Sequence, residues 1–291
     1  MVTEIRIPTL NDQPQDFDIL FKLLQYVNKG NKTAYTLNFT DCFFLRPNAV
    51  AFLGGLIRLL NSQGLKMDIA WVTVRKEVMI TLVQNGFTQA FGYHSGTVQT
   101  GHAIPYREDQ HEDSDEIMTY LIDHWIGKGW VHVSPRLCAA IAGKLWEIYT
   151  NSFEHSHSPV GVFTCGQHFK IKNELVLSVV DFGVGIPHNV KNYLNKDPRA
   201  QSLPSDACLK WACTSGNTTD ASGIPRGLGL SLLQEFVKLN NGKLELYSSD
   251  GYVKMDCHGE QYGIHSSSFN GTILHLTLIC DEKYYHFKDE V

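Results

Sequence analysis

Along the first third of the chain the apolar positions change period again and again. Residues 4–7 alternate apolar and polar and predict a short strand, whereas Phe17, Leu20, Leu24 and Val27 recur at steps of three and four and predict one face of a helix over 16–27. Extended runs at 35–40 and 67–72 predict two further strands, and 47–60 and 76–85 two further helices, the last closed by Gly86. This βαβαβα order predicts a small α/β unit with helices packed on a sheet. Between residues 97 and 115 the pattern gives way to Gly, Pro, His and acidic residues. A boundary is expected there, with one unit over 1–105, a linker over 106–114 and a second unit over 115–291.

In the second unit, helices are expected over 114–126 and 135–154, strands over 160–171 and 175–180, a helix over 229–239, and strands near 243–247, 252–256 and 272–279. Residues 187–226, rich in Pro, Ser, Thr, Asn and Asp, read as an irregular stretch with one helix near 206–211. A loop that long inside a compact domain is usually functional. The helix over 135–154 has two working faces. Leu137, Ile141, Leu145 and Ile148 form an apolar strip, and Glu147, Asn151 and His155, spaced by four, form a polar strip beside it.

The polar strip has the chemistry of a phosphate site. Asn151 carries a neutral amide oxygen suited to Mg²⁺ already neutralised by phosphates. Glu147 can orient or deprotonate a water or hydroxyl attacking a γ-phosphate, and His155 can contact a phosphate. A second signature, Asp181-x-Gly183-x-Gly185, follows the apolar run 175–180. A carboxylate at a strand end can accept a hydrogen bond from an exocyclic amine such as N6 of adenine, and the glycines let the backbone approach a flat base. Asp181-Phe182-Gly183 also matches the metal-binding triplet of eukaryotic-type protein kinases, but the chain has no His-Arg-Asp loop and no Val-Ala-Ile-Lys strand. A third signature, Arg226-Gly227-Leu228-Gly229-Leu230, opens a helix after the long loop. Unpaired N–H groups and the dipole at such a terminus bind phosphate, and Arg226 adds a planar cation. No Gly-Lys-Ser/Thr follows, so this is not a P-loop. The fourth signature is Gly271-Thr272. Taken singly, each is also what an ordinary amphipathic helix or glycine turn would contain.

Composition narrows the classes. With 291 residues, 43% hydrophobic and 11% aromatic, the chain can fill real cores. A net charge of −5 without a run of Lys and Arg argues against nucleic acid and anionic membrane surfaces. The start lacks a secretory leader and no stretch approaches the ~20 apolar residues of a membrane span, so a cytoplasmic protein is expected. The seven cysteines are scattered without Cys-x-x-Cys spacing and read as reduced, mostly buried side chains. Cys257-His258 with His265 lacks a second ligand pair for zinc, and the acidic residues 108–116 read as a solvated linker and helix start.

In their fixed order the four signatures resemble the N, G1, G2 and G3 boxes of the GHKL ATPase superfamily, the group of gyrase B, heat-shock chaperones and histidine kinases, over about residues 115–280. The resemblance implies the Bergerat fold, an α/β sandwich with an antiparallel or mixed sheet under a layer of helices, and makes 187–226 an ATP lid. It implies ATP and Mg²⁺ as ligands, with Glu147 as catalytic base, Asn151 as Mg²⁺ ligand and Asp181 as adenine reader supported by Thr272. It also implies nucleotide contacts from His155, Gly183, Gly185, Ile186, Thr218, Arg226, Gly227, Leu228, Gly229 and Leu230. Residues 215–219 are similar to the lid end of sensor kinases and anti-sigma-type serine kinases. The first unit is similar to a STAS domain, with Arg46-Pro47-Asn48 where a phosphorylatable serine would stand, which implies a docking or dimerising scaffold. The expected function is an ATPase-type conformational switch in bacterial-type signalling; the alternatives are an anti-sigma-type Ser/Thr kinase and a nucleotide-binding scaffold without turnover. A protein partner is implied, as regulated target or phosphoacceptor, and a homodimer is left open.

Overall fold

In the computed structural model, which describes residues 2–94, 101–214, 216–217 and 230–290, the early periodicities become a three-stranded parallel sheet. Strand β1 (Thr3–Arg6), helix α1 (Pro14–Lys29), β2 (Ala34–Asn38), α2 (Pro47–Ser62) and β3 (Lys66–Ile69) alternate, and the strands pair in chain order. Both crossovers step in the same direction along the sheet, and because parallel crossovers share one hand, both helices fall on the same face. The other face is left to water: Glu4, Arg6, Lys66 and Asp68 are exposed, while Tyr35, Leu37 and Met67 are buried under the helices. Helices α3 (Lys76–Gln84) and α4 (Phe87–Ala90) follow.

The second half builds a five-stranded, wholly antiparallel sheet of order β4-β5-β6-β8-β7. In chain order its elements are β4 (Ala103–Asp109), α5 (Ser114–Tyr120), α6 (Pro135–His155), β5 (Val162–Phe169), β6 (Glu174–Asp181), α7 (Ile186–Tyr193), α8 (Ser205–Cys213), α9 (Ser231–Asn240), β7 (Lys243–Asp256) and β8 (Gly259–Ile279). On one face Leu175, Leu177, Val179, Leu274 and Leu276 share a core with Ile141 and Leu145 of α6 and Leu233 and Phe236 of α9. On the opposite face Phe163, Val180, Phe182, Tyr247 and Ile273 share a core with Phe17, Phe21 and Phe52 of α1 and α2. Phe17 stacks on Tyr247 at 4.0 Å and Phe21 on Phe269 at 4.6 Å. The result is four layers, sheet, helices, sheet, helices. Gly55 lets α2 lie directly on the sheet, because a Cβ there would meet the Phe182 ring at 2.2 Å.

Three expectations change. Residues 103–109, expected within the irregular segment that included the linker, form strand β4, in which Ile104 and Tyr106 point inward and the flanking charges are paired as Arg58–Glu108 and Arg107–Asp109. What reads as a solvated acidic run is therefore partly a sheet edge. The helix expected near 206–211 is α8, but residues 187–226 also hold most of an unexpected helix, α7, with Pro187 in its first turn, a position at which proline starts a helix. Finally, 243–256 is one strand with a register irregularity around Ser248–Gly251, and its partner β8 begins at Gly259. Among the described residues no helix is long and apolar enough to cross a membrane.

The two halves are also joined by buried charge. Arg46, the N-cap of α2 and 1% exposed, pairs with Asp12 at 2.8 Å and with Glu174 of β6 at 2.9 Å, and its guanidinium lies 4.3 Å from the Phe169 ring centre. Asp12 also lies 3.4 Å from His275 Nε2, whose Nδ1 is 2.8 Å from Ser178 Oγ. Burial alone would raise the Asp12 pKa, but His275, Lys243 and Arg46 hold it well below the usual carboxylate range. Arg46-Pro47-Asn48 thus lies inside the interface between the halves. Removing one partner leaves buried charge uncompensated, so Arg46→Ala is expected to lower unfolding free energy in a urea titration by about 3–5 kcal/mol. A loss under about 1 kcal/mol would mean that water reaches the network.

Candidate functional site

The polar strip is built on a well-started helix. Ser134 Oγ accepts the Leu137 N–H at 3.1 Å and Pro135 occupies the first turn of α6. At its other end α6 is stitched to the turn after β6. Val184 N–H donates to the Ser156 carbonyl at 2.7 Å, and Asn189 Nδ2 to the His155 carbonyl at 2.9 Å. That contact needs glycine at 183, where a Cβ would lie 2.0 Å from the Ser156 carbonyl oxygen. Gly185 caps α7, and Ile186 N–H donates to Ser248 Oγ, which donates in turn to the Gly271 carbonyl at 2.8 Å. The β6–β8 register sets Asp181 opposite Thr272. Three of the four sequence signatures, far apart in the chain, therefore meet at one place.

They meet at a cavity of about 840 Å³, its open mouth included. Asp181 and Thr272 line it with Ser152; Asn151, His155 and Ser156 belong to the α6 wall, and Ile148, Ile186, Leu246 and Leu274 supply apolar surface. Trp211 and Ala212 of α8, with Asn217, also line it. Asp181 is 3% exposed. Its carboxylate accepts the Gly183 N–H at 2.9 Å and the Ser152 hydroxyl at 3.2 Å, and Thr272 hydrogen-bonds it as well. Burial pushes its pKa up to about 6, against the opposing pull of those hydrogen bonds.

Of the residues expected at the site, Asn151, His155, Asp181, Gly185, Ile186, Leu230 and Thr272 line the cavity. Gly183 stands behind it, against the end of α6. Glu147 does not line it. Steps of four overshoot a helical turn by about 40°, so the strip winds round α6; Glu147 is ion-paired with Lys144. Thr218, Arg226, Gly227, Leu228 and Gly229 lie outside the described residues. Sequence reasoning missed Ser152 and Ser156, each one residue after a strip position and on the side toward which the strip winds. It gave Asn217 only as part of the stretch similar to a lid end and missed Asn189 and Trp211; the last stands in the helix expected near 206–211, where nothing in the pattern marks the buried side as a cavity wall.

No protein-family model matches the chain, and no curated protein matches it.

The Asp181 environment has a stability consequence. The folded state holds its proton up to a pH of about 6, above the ordinary carboxylate value of 3.8. Its contribution is therefore fully present below about pH 4, is lost as pH rises through about 6, and leaves a buried carboxylate at neutral pH. Asp181→Asn is expected to raise Tm at pH 7, by roughly 2–3 kcal/mol of stability if the whole shift is recovered, with the gain shrinking toward zero near pH 4. A thermal melt series across pH 4–7 measures it, and an Asn variant less stable than the parent at pH 7 would show that the carboxylate is better solvated than its burial implies.

Proposed function

We propose that the protein binds Mg-ATP in this cavity as a GHKL-type module of Bergerat fold and works as an ATPase-type conformational switch. The observation that carries the reading is Asp181, a buried carboxylate on the cavity wall with neighbouring donors from Gly183, Ser152 and Thr272 and with apolar surface around it. That is the chemistry needed to accept a hydrogen bond from the exocyclic amine of a planar base. A guanine would present a carbonyl oxygen to the same carboxylate and be repelled.

The residues present fit Mg²⁺ held chiefly by phosphate. Asn151 lines the cavity with a neutral amide, and the one carboxylate on the described lining, Asp181, is engaged by its own donors. One protein oxygen is what Mg²⁺ needs when phosphates and water complete its shell. Bound there, the ion would neutralise charge on the phosphates; Asn151 would orient it and His155 would contact a phosphate oxygen. The parallel-sheet unit is read as a STAS-like scaffold without a phospho-switch, consistent with the burial of Arg46 at the start of α2. A protein partner goes with this reading, since such a switch acts by altering a contact.

One observation favours a second reading, nucleotide binding without turnover. Glu147, the expected base, is held by Lys144 and does not line the cavity. Titration calorimetry and phosphate release on single variants separate the two. Asp181→Asn is expected to weaken ATP by about 1–3 kcal/mol, and the parent to bind GTP far more weakly than ATP. Asn151→Ala should weaken Mg-ATP more than metal-free ADP. Glu147→Ala should leave affinity intact and slow phosphate release by about 10²-fold. Equal GTP and ATP affinity would overturn the role of Asp181, and unchanged turnover in Glu147→Ala would favour the sensor.

A further inference from the structure

Asp181 can read only the edge of a base; a base held in the cavity must also have its faces covered. On the α6 and sheet side the walls are aliphatic, from Ile148 and Leu274. On the α8 side stands Trp211, the one side chain larger than an imidazole that offers a flat aromatic face on the lining among the described residues. Its geometry is fixed in advance. The Trp211 ring packs at 5.6 Å and 43° against Tyr193 of α7, and its carbonyl accepts Asn217 Nδ2 at 2.8 Å and the Thr214 N–H at 3.2 Å. The start of α8 is anchored on the β7 hairpin: Ser205 donates to Asp250, and Gly251 comes so close that a Cβ there would lie 2.8 Å from the Ser205 backbone. A half-buried indole held from behind and beside a cavity gives a planar ligand a wall whose conformational entropy has already been lost.

We propose that Trp211 is the stacking wall of the site, a specificity-determining residue that selects a planar nucleobase, while Asp181 selects among bases by their edge. This rests on the nucleotide reading above. Aromatic stacking is tolerant of the base and indifferent to the phosphates, so Trp211 and Asp181 divide the recognition: Trp211 distinguishes a base from none, and Asp181 distinguishes adenine from guanine. Asn217 joins the two functions in one segment, lining the cavity while its amide fixes the backbone of the stacking residue.

The test uses the full chain and three probes, adenosine, ADP and inorganic triphosphate, on the parent, Trp211→Phe and Trp211→Ala, with circular dichroism and melting to establish that each is folded. Trp211→Ala is expected to weaken adenosine and ADP by about ten- to hundredfold and to leave triphosphate unchanged. Trp211→Phe is expected to restore most of the affinity, which a role limited to packing α8 against α7 would not require of the ligand. The chain has five tryptophans, and the fluorescence change on adding adenosine to the parent should vanish in Trp211→Phe. ADP binding as tight in a folded Trp211→Ala as in the parent, or a fluorescence change that persists in Trp211→Phe, overturns the stacking role while leaving nucleotide binding standing. A parent that binds neither adenosine nor ADP overturns both. Equal weakening of triphosphate and adenosine in Trp211→Ala overturns it too, by showing a general distortion of the site.

Discussion

The pairing of β6 with β8 is the constraint on which the rest of the molecule depends. Its register sets Asp181 opposite Thr272 and Ser178 opposite His275. Side chains alternate across a sheet, so a pair three residues along points to the other face. Asp181 and Thr272 consequently face the cavity on the α6 side, while Ser178 and His275 face the layer of α1 and α2. A slip of one residue would exchange the two sets, burying the cavity residues among phenylalanines and exposing the polar network to the wrong core.

That geometry makes the central sheet a shared wall. Its α6 face belongs to the candidate site and its other face to the first half of the chain, through the Phe17, Phe21 and Phe52 rings and the Arg46 network. Glu174 and Asp181 are the two ends of the same strand. A change in how α1 and α2 sit on the sheet would therefore bear on the strand that carries Asp181, because close-packed layers move as units rather than deforming freely. The first half of the chain and the cavity thus share one strand without touching each other.

Asp181 concentrates the tension between stability and function. A carboxylate at 3% exposure is costly to ionise, and the donors of Gly183, Ser152 and Thr272 offset only part of that cost. The fold tolerates it because each donor is supplied by an element already fixed for another reason: Ser152 by the packing of α6, Gly183 by its contact with Ser156, Thr272 by the ladder. Strain of this kind, held by over-determined surroundings, is what a preorganised polar site requires.

Local structure under the control of short-range physics was legible in the order of residues. The periods of three and four placed α1 and α6, the apolar runs placed β2 and β6, and the spacing of Asn151 and His155 with the Asp181 turn marked residues that do line one cavity. Elements whose identity depends on distant partners were not. Charged β4 forms a strand at a sheet edge, where Glu108 pairs with Arg58 of α2 and Arg107 with Asp109 along the strand itself, and α7 begins inside a stretch that reads as irregular, with Pro187 in its first turn. Glu147 looks equivalent to Asn151 by spacing, yet a strip with a period of four winds round a helix of 3.6 residues per turn, and the cavity meets only part of it. Trp211 carries no local sign of its place at all: whether an indole closes a core or walls a cavity depends on what lies across from it, and that is set by the long-range pairing of strands.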